Sequence, residues 1–365
     1  MKRLSVFAFV LAFALSVGAL CGCSASPSSS SEPSPETAAD SSQSMTSTAR
    51  TIVDMAGNTV EIPNDVHSVG TSWPGFINTI CVAGGAENIT AAPKALGAYP
   101  WATKIFPSLA QANVAFAKEA NLEKLASDKP DVLFLRKQDD IKKISELGIP
   151  VVMVQYKNNS IYDMVDAVKL VGEVLGGEHA KQAERYSAFV EKNVNAIKTE
   201  TDSVSDSQKP SVLMLTVKEG AYSTWGKNII QNEEIQIAGG VNVAADEVDG
   251  AKEVTTEQIL SWNPDYIFLE GSAQDKETFM SDAAFGDLDA VQHSRVYTTP
   301  KGVFSWCRLG SETALYEIWM AQTLYPDKLA SLDVEAQAKD FYKTFFNYDL
   351  TDAELGKILN AENPE

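Results

Sequence analysis

The sequence predicts an α/β protein of two lobes, each a mainly parallel sheet flanked by helices, bridged by one long α-helix. Three observations carry this. Short apolar runs alternate with helical patterns along most of the chain. One frame, a Glu followed by a helical turn or two, Pro-Asp and a buried strand, occurs twice. Between the two copies lies a segment free of Gly and Pro, residues 178–205, which would span roughly 40 Å as a helix.

In chain order, Lys2 and Arg3 precede an apolar stretch from Leu4 to Leu20, the layout of a secretory signal. A transmembrane helix competes with this reading, but the run is short for a span and no second basic flank follows. Cys21 and Cys23 could be metal ligands, a redox pair, part of a disulfide framework or a cut-and-anchor site. No Cys or His lies near enough to complete a metal or redox set. LCGC (20–23) resembles the bacterial lipobox, with Cys23 in the acylated position. Residues 1–22 are therefore expected to leave, with Cys23 lipidated as the new N-terminus. Two acyl chains on that residue would give stable anchoring. Residues 23–49, rich in Ser, Pro and acid, cannot bury a core and read as a disordered tether of roughly 25–30 Å.

Order is expected from residue 50. RTIVDMAGNTVEIP (50–63) reads as a hairpin turning at Ala56-Gly57-Asn58. HSVGTS (67–72), DVLFL (131–135), PVVMV (150–154), SVLMLTV (211–217), DYIFL (265–269) and RVYTT (295–299) read as buried strands. DMVDAVKLVGEVLGG (163–177) reads as a helix stopped by its Gly pair. In residues 178–205, Ala183, Tyr186, Val190, Val194 and Ile197 fall on one helical face. This sets an N-terminal lobe at 50–177, a linking helix at 178–205, a C-terminal lobe at 206–350 and a tail at 351–365. The repeat is NLEKLASDKPDVLFL (121–135) against TEQILSWNPDYIFL (256–269). In both, the Glu (Glu123, Glu257) sits in the first helical turn behind a good N-cap. Helix-dipole complementarity explains each acid singly; a matched exposed pair, one per lobe, also suits a symmetric docking surface.

Net charge is −19, and loss of Lys2 and Arg3 would deepen it. Such a surface argues against nucleic acid and against electrostatic attachment to a membrane. His67, His179 and His293 form no metal-spacing motif. Cys81 and Cys307 read as single buried thiols. GAYSTWGK (220–227) fails as a phosphate loop, because five residues separate its glycines and Asn228 follows the Lys. No GxSxG occurs and no His follows a strand, so an enzyme on this scaffold, the reading from another class, has no motif behind it.

In open parallel sheets ligands bind beyond the carboxyl ends of strands. The segments there supply Trp73, Arg136 and Tyr156 from the first lobe, and Tyr222, Trp225, Trp306 and Arg308 from the second. The insertion GAYPWATKIFP (97–107) adds Tyr99 and Trp101. Aromatic and cationic groups together suit a bulky, partly aromatic anion. For each Trp or Tyr, core packing competes with ligand contact; Arg308 sits on a loop before a new helix at Ser311.

Together, TIVDMAGNTVEIP, NLEKLASDKPDVLFL, the lone long helix, TTEQILSWNPDYIFLE and VYTTPKGVFSWCRLGSETALYEIWMAQTLYPDKL resemble the substrate-binding lipoproteins of ABC importers for ferric siderophores, haem and cobalamin. The resemblance covers roughly residues 50–350. It implies the class III periplasmic-binding-protein fold, with ligand held between two lobes and small closure motions. It further implies a permease dimer with its ATPase as partner, Glu123 and Glu257 as the acids that dock on it, and an anchored position on the outer face of the cell membrane. The expected cargo is a metal chelate, foremost a ferric siderophore; haem, cobalamin, nickel or cobalt chelates and molybdate stay open. Neither a catalytic residue nor a resident cofactor or metal is expected.

Overall fold

The computed structural model describes residues 49–137, 141–218 and 220–365. The expected signal segment, Cys23 and almost all of the tether lie outside the described residues.

The chain enters as an antiparallel hairpin, β1 (Ala49–Val53) and β2 (Thr59–Pro63). Asp54 builds its turn by accepting from the Ala56 and Asn58 amides at 3.0 and 2.8 Å. The first lobe then alternates β3 (Val69–Thr71), α1 (Pro74–Val82), β4 (Ile89–Pro93), α2 (Pro100–Ile105), β5 (Asn113–Phe116), α3 (Leu122–Asp128), β6 (Val132–Leu135), α4 (Ile141–Ser145), β7 (Val151–Met153) and α5 (Ile161–Leu175). Its five strands lie in the order β5-β4-β3-β6-β7, all parallel. Strands buried on both faces explain the continuous apolar runs.

Helix α5 starts at a Ser160/Asp163 capping box and stops at Gly176, whose φ of 71° suits glycine. The bridging helix α6 follows at Gly177–Thr201. Ala183, Tyr186, Val190, Val194 and Ile197, the predicted stripe, are all buried. The helix stops at Thr201 rather than running to 205.

The second lobe comprises β8 (Ser211–Lys218), β9 (Ala221–Trp225), α7 (Ile230–Ile237), β10 (Val241–Asn242), β11 (Ala251–Val254), α8 (Thr256–Trp262), β12 (Tyr266–Glu270), α9 (Ala273–Ser281), α10 (Asp289–Gln292), β13 (Val296–Thr298) and α11 (Thr313–Leu324). The sheet order is β11-β9-β8-β12-β13, with β10 beside β8. β8, β12, β13 and β10 are parallel; β9 and β11 add an antiparallel edge.

The sequence repeat is a structural repeat. Asn121 accepts from the Lys124 amide at the start of α3, and Thr255 accepts from the Gln258 amide at the start of α8. Both helices end on a left-handed residue, Lys129 (φ 39°) and Asn263 (φ 37°), just before the Pro-Asp. The Asp then ties the next strand to an earlier one. Asp131 accepts from the Ser68 amide and hydroxyl at 2.9 and 3.0 Å, and Asp265 from those of Ser211 at 2.8 and 2.7 Å.

Two last helices, α12 (Val334–Phe346) and α13 (Asp352–Leu359), follow α11 but return to the first lobe. Phe346 packs edge-on against Phe106 at 5.2 Å, Lys104 pairs with Glu354 at 3.0 Å, and the Trp101 indole donates to the Glu362 carbonyl at 2.9 Å. The segment drawn as a tail is thus a packed helix. One apolar core runs from Ile52 to Ile358 through α1, α5, α6, α11 and α12. The lobes share this core, so they cannot separate without opening it.

Candidate functional site

Between the lobes lies a cavity of about 610 Å³. The first-lobe wall is built where β3 and β6 end. Arg136, following β6, lays its guanidinium over the Trp73 ring at 4.3 Å and the Tyr156 ring at 5.3 Å. Trp73 in turn packs edge-on against Phe304 of the other lobe at 5.8 Å, and the Tyr99 ring meets Phe304 at 4.8 Å with a tilt of 40°. The opposite wall presents Trp225, Glu270 and Arg308. A second chamber of about 450 Å³, lined by Lys118 and Lys137, opens off the first lobe and shares Trp73 and Arg136 with the main cavity.

Arg308 does not stand free. Its Nε donates to Glu270 Oε1 at 2.8 Å and its Nη2 to Oε2 at 2.5 Å, a bidentate pair, with the guanidinium 5.3 Å from the Trp225 ring. Ser305 Oγ adds a third bond to Glu270 Oε1 at 3.0 Å. Burial weakens the Arg308 charge, but the bonded Glu270 carboxylate outweighs it and holds the guanidinium protonated. Behind Glu270, Lys301 lies 5.2 Å from the Tyr99 ring; burial pulls its pKa down, with Glu270 opposing.

Glu312, fully buried at the start of α11, knits the hinge side together. Its Oε1 accepts from the Val303 amide at 3.2 Å, the Trp306 indole at 3.1 Å and the Tyr342 hydroxyl; Oε2 accepts from the Phe304 amide at 2.7 Å and Asn78 Nδ2 at 3.2 Å. Asn78 belongs to α1 in the first lobe, and its Oδ1 accepts in turn from the Ser311 amide and hydroxyl. Burial raises the Glu312 carboxyl from 4.5 to about 7 against the pull of these donors. A Cβ at Gly302 would come 2.1 Å from Glu312 Oε1 and the Tyr342 hydroxyl, so glycine is required there. Beneath the cleft, Glu234 and Glu317 are fully buried with no partner for either carboxylate among the described residues, and burial raises both.

The sequence-predicted residues sort by this geometry. Trp73, Tyr99, Arg136, Trp225 and Arg308 are brought to one cavity. Tyr156 stands behind Trp73 and Arg136, with a buried hydroxyl whose pKa burial raises. Three placements are corrected. Trp101 turns into the first-lobe core and bonds Glu362. Tyr222 packs edge-on against Phe279 and Phe285 at the outer face of its sheet. It stands three residues before Trp225, and alternation along β9 sends the two to opposite faces. Trp306 is fully buried on Glu312. Sequence reasoning missed Phe304 and Gln231 as lining, and Glu312 as the hinge carboxylate. Glu270 closes the strand DYIFL as the next residue, and nothing in the sequence signals its ion pair with Arg308. Glu123 and Glu257 are both exposed. Cys81 and Cys307 are free and buried, as read. No group of three or more His, Cys, Asp or Glu able to hold a metal occurs, and no helix is long and apolar enough to cross a membrane, among the described residues.

Known proteins resemble this chain along most of its folded part. It is 24% identical over 249 residues to the molybdate-binding protein MolA of Haemophilus influenzae, covering 62% of this chain and 70% of that protein. An uncharacterized ABC transporter substrate-binding lipoprotein of Bacillus subtilis, YvrC, is 26% identical over 213 residues, covering 57% of this chain and 66% of that one. Among solved structures, a periplasmic solute binding protein from Veillonella parvula superposes with a TM-score of 0.76 at 27% identity, over 86% of this chain and 97% of that one. The molybdate-bound MolA structure superposes with a TM-score of 0.73 at 21% identity, over 83% and 99%. These relatives are binding proteins rather than enzymes. With residues 79–303 matching the family described as periplasmic binding protein, the chain belongs to that family.

Proposed function

We propose that this protein is the substrate-binding component of an ABC importer, held at the outer face of the cell membrane by a lipid on Cys23, and that its cargo is a bulky anionic metal chelate, foremost a ferric siderophore. The observation that carries the ligand class is the cleft itself. Its volume lies within the ~300–1,000 Å³ typical of organic-ligand sites and far exceeds what one tetrahedral oxyanion fills. Its walls set Trp73, Tyr99, Trp225 and Phe304 beside the guanidinium groups of Arg136 and Arg308, which supports a ligand both aromatic and anionic. The buried Tyr156 hydroxyl is a poor iron ligand, which weighs against haem held through that residue. A second reading, an oxyanion such as molybdate, is favoured by the likeness to MolA.

Titration of tryptophan fluorescence separates the two, since Trp73 and Trp225 flank the cavity. Ferric tris-hydroxamate and tris-catecholate complexes should quench saturably, and sodium molybdate should not. Saturable binding of molybdate with no response to either chelate would replace the first reading by the second.

For delivery, the supporting observation is the matched pair of exposed acids. Glu123 and Glu257 each stand at the second position of a capped helix in equivalent places of the two lobes. Backbone amide and Thr255 hydroxyl hold the Glu257 carboxyl below its usual range. Glu123→Ala combined with Glu257→Ala should abolish most uptake of the ferric complex by cells while leaving its affinity for the purified protein unchanged. Normal uptake by the double variant would remove these residues from docking.

A further inference from the structure

We propose that Glu270 determines how much negative charge the cleft accepts, by neutralising one of its two guanidinium groups and leaving that group as a hydrogen-bond donor rather than a net cation. The inference rests on the proposed reading that the cleft binds anions, and goes further by stating their charge.

The geometry is asymmetric. On the first-lobe wall, no carboxylate pairs with Arg136 among the described residues; aromatic faces of Trp73 and Tyr156 hold it instead. On the second-lobe wall, Glu270 takes the Nε and one Nη2 hydrogen of Arg308. A guanidinium has five N–H donors, so three remain. The Arg308 side chain is 43% exposed and the Glu270 side chain 18%; both line the cavity, and the guanidinium is the more accessible of the pair. Trp225 and the bidentate pair fix the guanidinium plane before any ligand arrives, which spares the entropy of ordering it. Glu270 is itself held by Ser305 Oγ and also lines a side chamber of about 300 Å³ that it shares with Lys301, so it is a built part of the wall.

Lys301 lies in the side chamber rather than in the main cavity. Within the main cavity, the cleft carries an unpaired charge at Arg136 and a paired donor at Arg308. It fits a ligand with one anionic group for Arg136 and uncharged acceptor oxygens for Arg308. A polyanion would meet the Glu270 carboxylate beside its second contact. Glu270→Gln keeps the shape, and an amide oxygen can still accept from Arg308, but the wall becomes cationic.

The test is the ratio of affinities for probes that differ in charge. For purified wild type and Glu270→Gln, Kd is measured by fluorescence titration for an uncharged ferric tris-hydroxamate and a trianionic ferric tris-catecholate. The same is done for perrhenate and molybdate, tetrahedral oxyanions that differ by one charge. Glu270→Gln should shift the ratio toward the more highly charged member of the bound pair by about 10-fold, with a steeper loss on adding salt. Ser305→Ala, which spares the ion pair, should leave the ratio unchanged. An equal change for both members overturns the proposal and makes Glu270 a scaffold residue. If only the oxyanions bind, the chelate reading falls while the charge rule is still decided by their ratio. If no probe binds, both fall. Should Glu270→Gln melt early, Glu270→Ala with Arg308 intact gives the same sign.

Discussion

Replacing Glu312 by Ala should destabilise the protein by about 3–5 kcal/mol, seen as a lower denaturant midpoint at unchanged slope. The substitution strands five buried donors at once: the Val303 and Phe304 amides, the Trp306 indole, Asn78 Nδ2 and the Tyr342 hydroxyl. Each unsatisfied buried group costs about 1–3 kcal/mol, and water entering the gap recovers part of the total. A loss below about 1 kcal/mol would show that the network is dispensable. The same carboxyl makes stability depend on pH. Its pKa is raised on folding, from 4.5 to about 7, so the folded state binds the proton more tightly than the unfolded chain. The contribution is therefore fully present below about pH 4.5 and is lost as pH rises through 7, a swing of about 3 kcal/mol. Glu234 and Glu317, also raised by burial, act in the same direction. Denaturation midpoints at pH 5.5 and 8 should differ less in Glu312→Gln than in wild type; equal differences would place the titration elsewhere.

Arg308→Ala should weaken binding of an anionic ferric chelate by about 10- to 150-fold, or ~1.5–3 kcal/mol, in the same fluorescence titration. The variant loses a pinned donor and also leaves Glu270, now bonded only by Ser305 Oγ, as an unpaired acid at the wall. Arg308→Ala with Glu270→Gln should therefore bind better than Arg308→Ala alone, and the double-mutant cycle measures how much of the loss is repulsion. Unchanged affinity in Arg308→Ala would make the ion pair a structural device only.

Element type was legible wherever one local rule governed. Each run read as a buried strand contains a strand, and the stripe on α6 was named residue by residue. The Glu and Pro-Asp frame forecast two equivalent helix–strand units, whose Asp131 and Asp265 turned out to be tied to Ser68 and Ser211. Illegible were the connections that join residues far apart in sequence. The return of α12 and α13 onto the first lobe, through Phe106–Phe346 and Lys104–Glu354, has no local sign.

The same division runs through the site. Strand ends located the cleft, because parallel sheets leave their carboxyl ends open in any such fold, and that reasoning brought Trp73, Arg136, Trp225 and Arg308 into view, with Tyr99 added from the insertion at 97–107. Tyr222 was misplaced because one residue of register along β9 decides which face a side chain takes. Trp101 on α2 and Trp306 in the loop after β13 were misplaced for other reasons: a partner far off in sequence, Glu362, sets the burial of the first, and loop packing on Glu312 that of the second. By itself, the sequence determined the α/β class, the bridging helix and the neighbourhood of the ligand. Periodicity and capping are short-range effects, readable in a window of residues. Only the tertiary structure decided that Arg308 is neutralised by Glu270, 38 residues away, and that Glu312 binds Asn78, 234 residues away. Charge pairing and desolvation depend on distance in space, which folding sets.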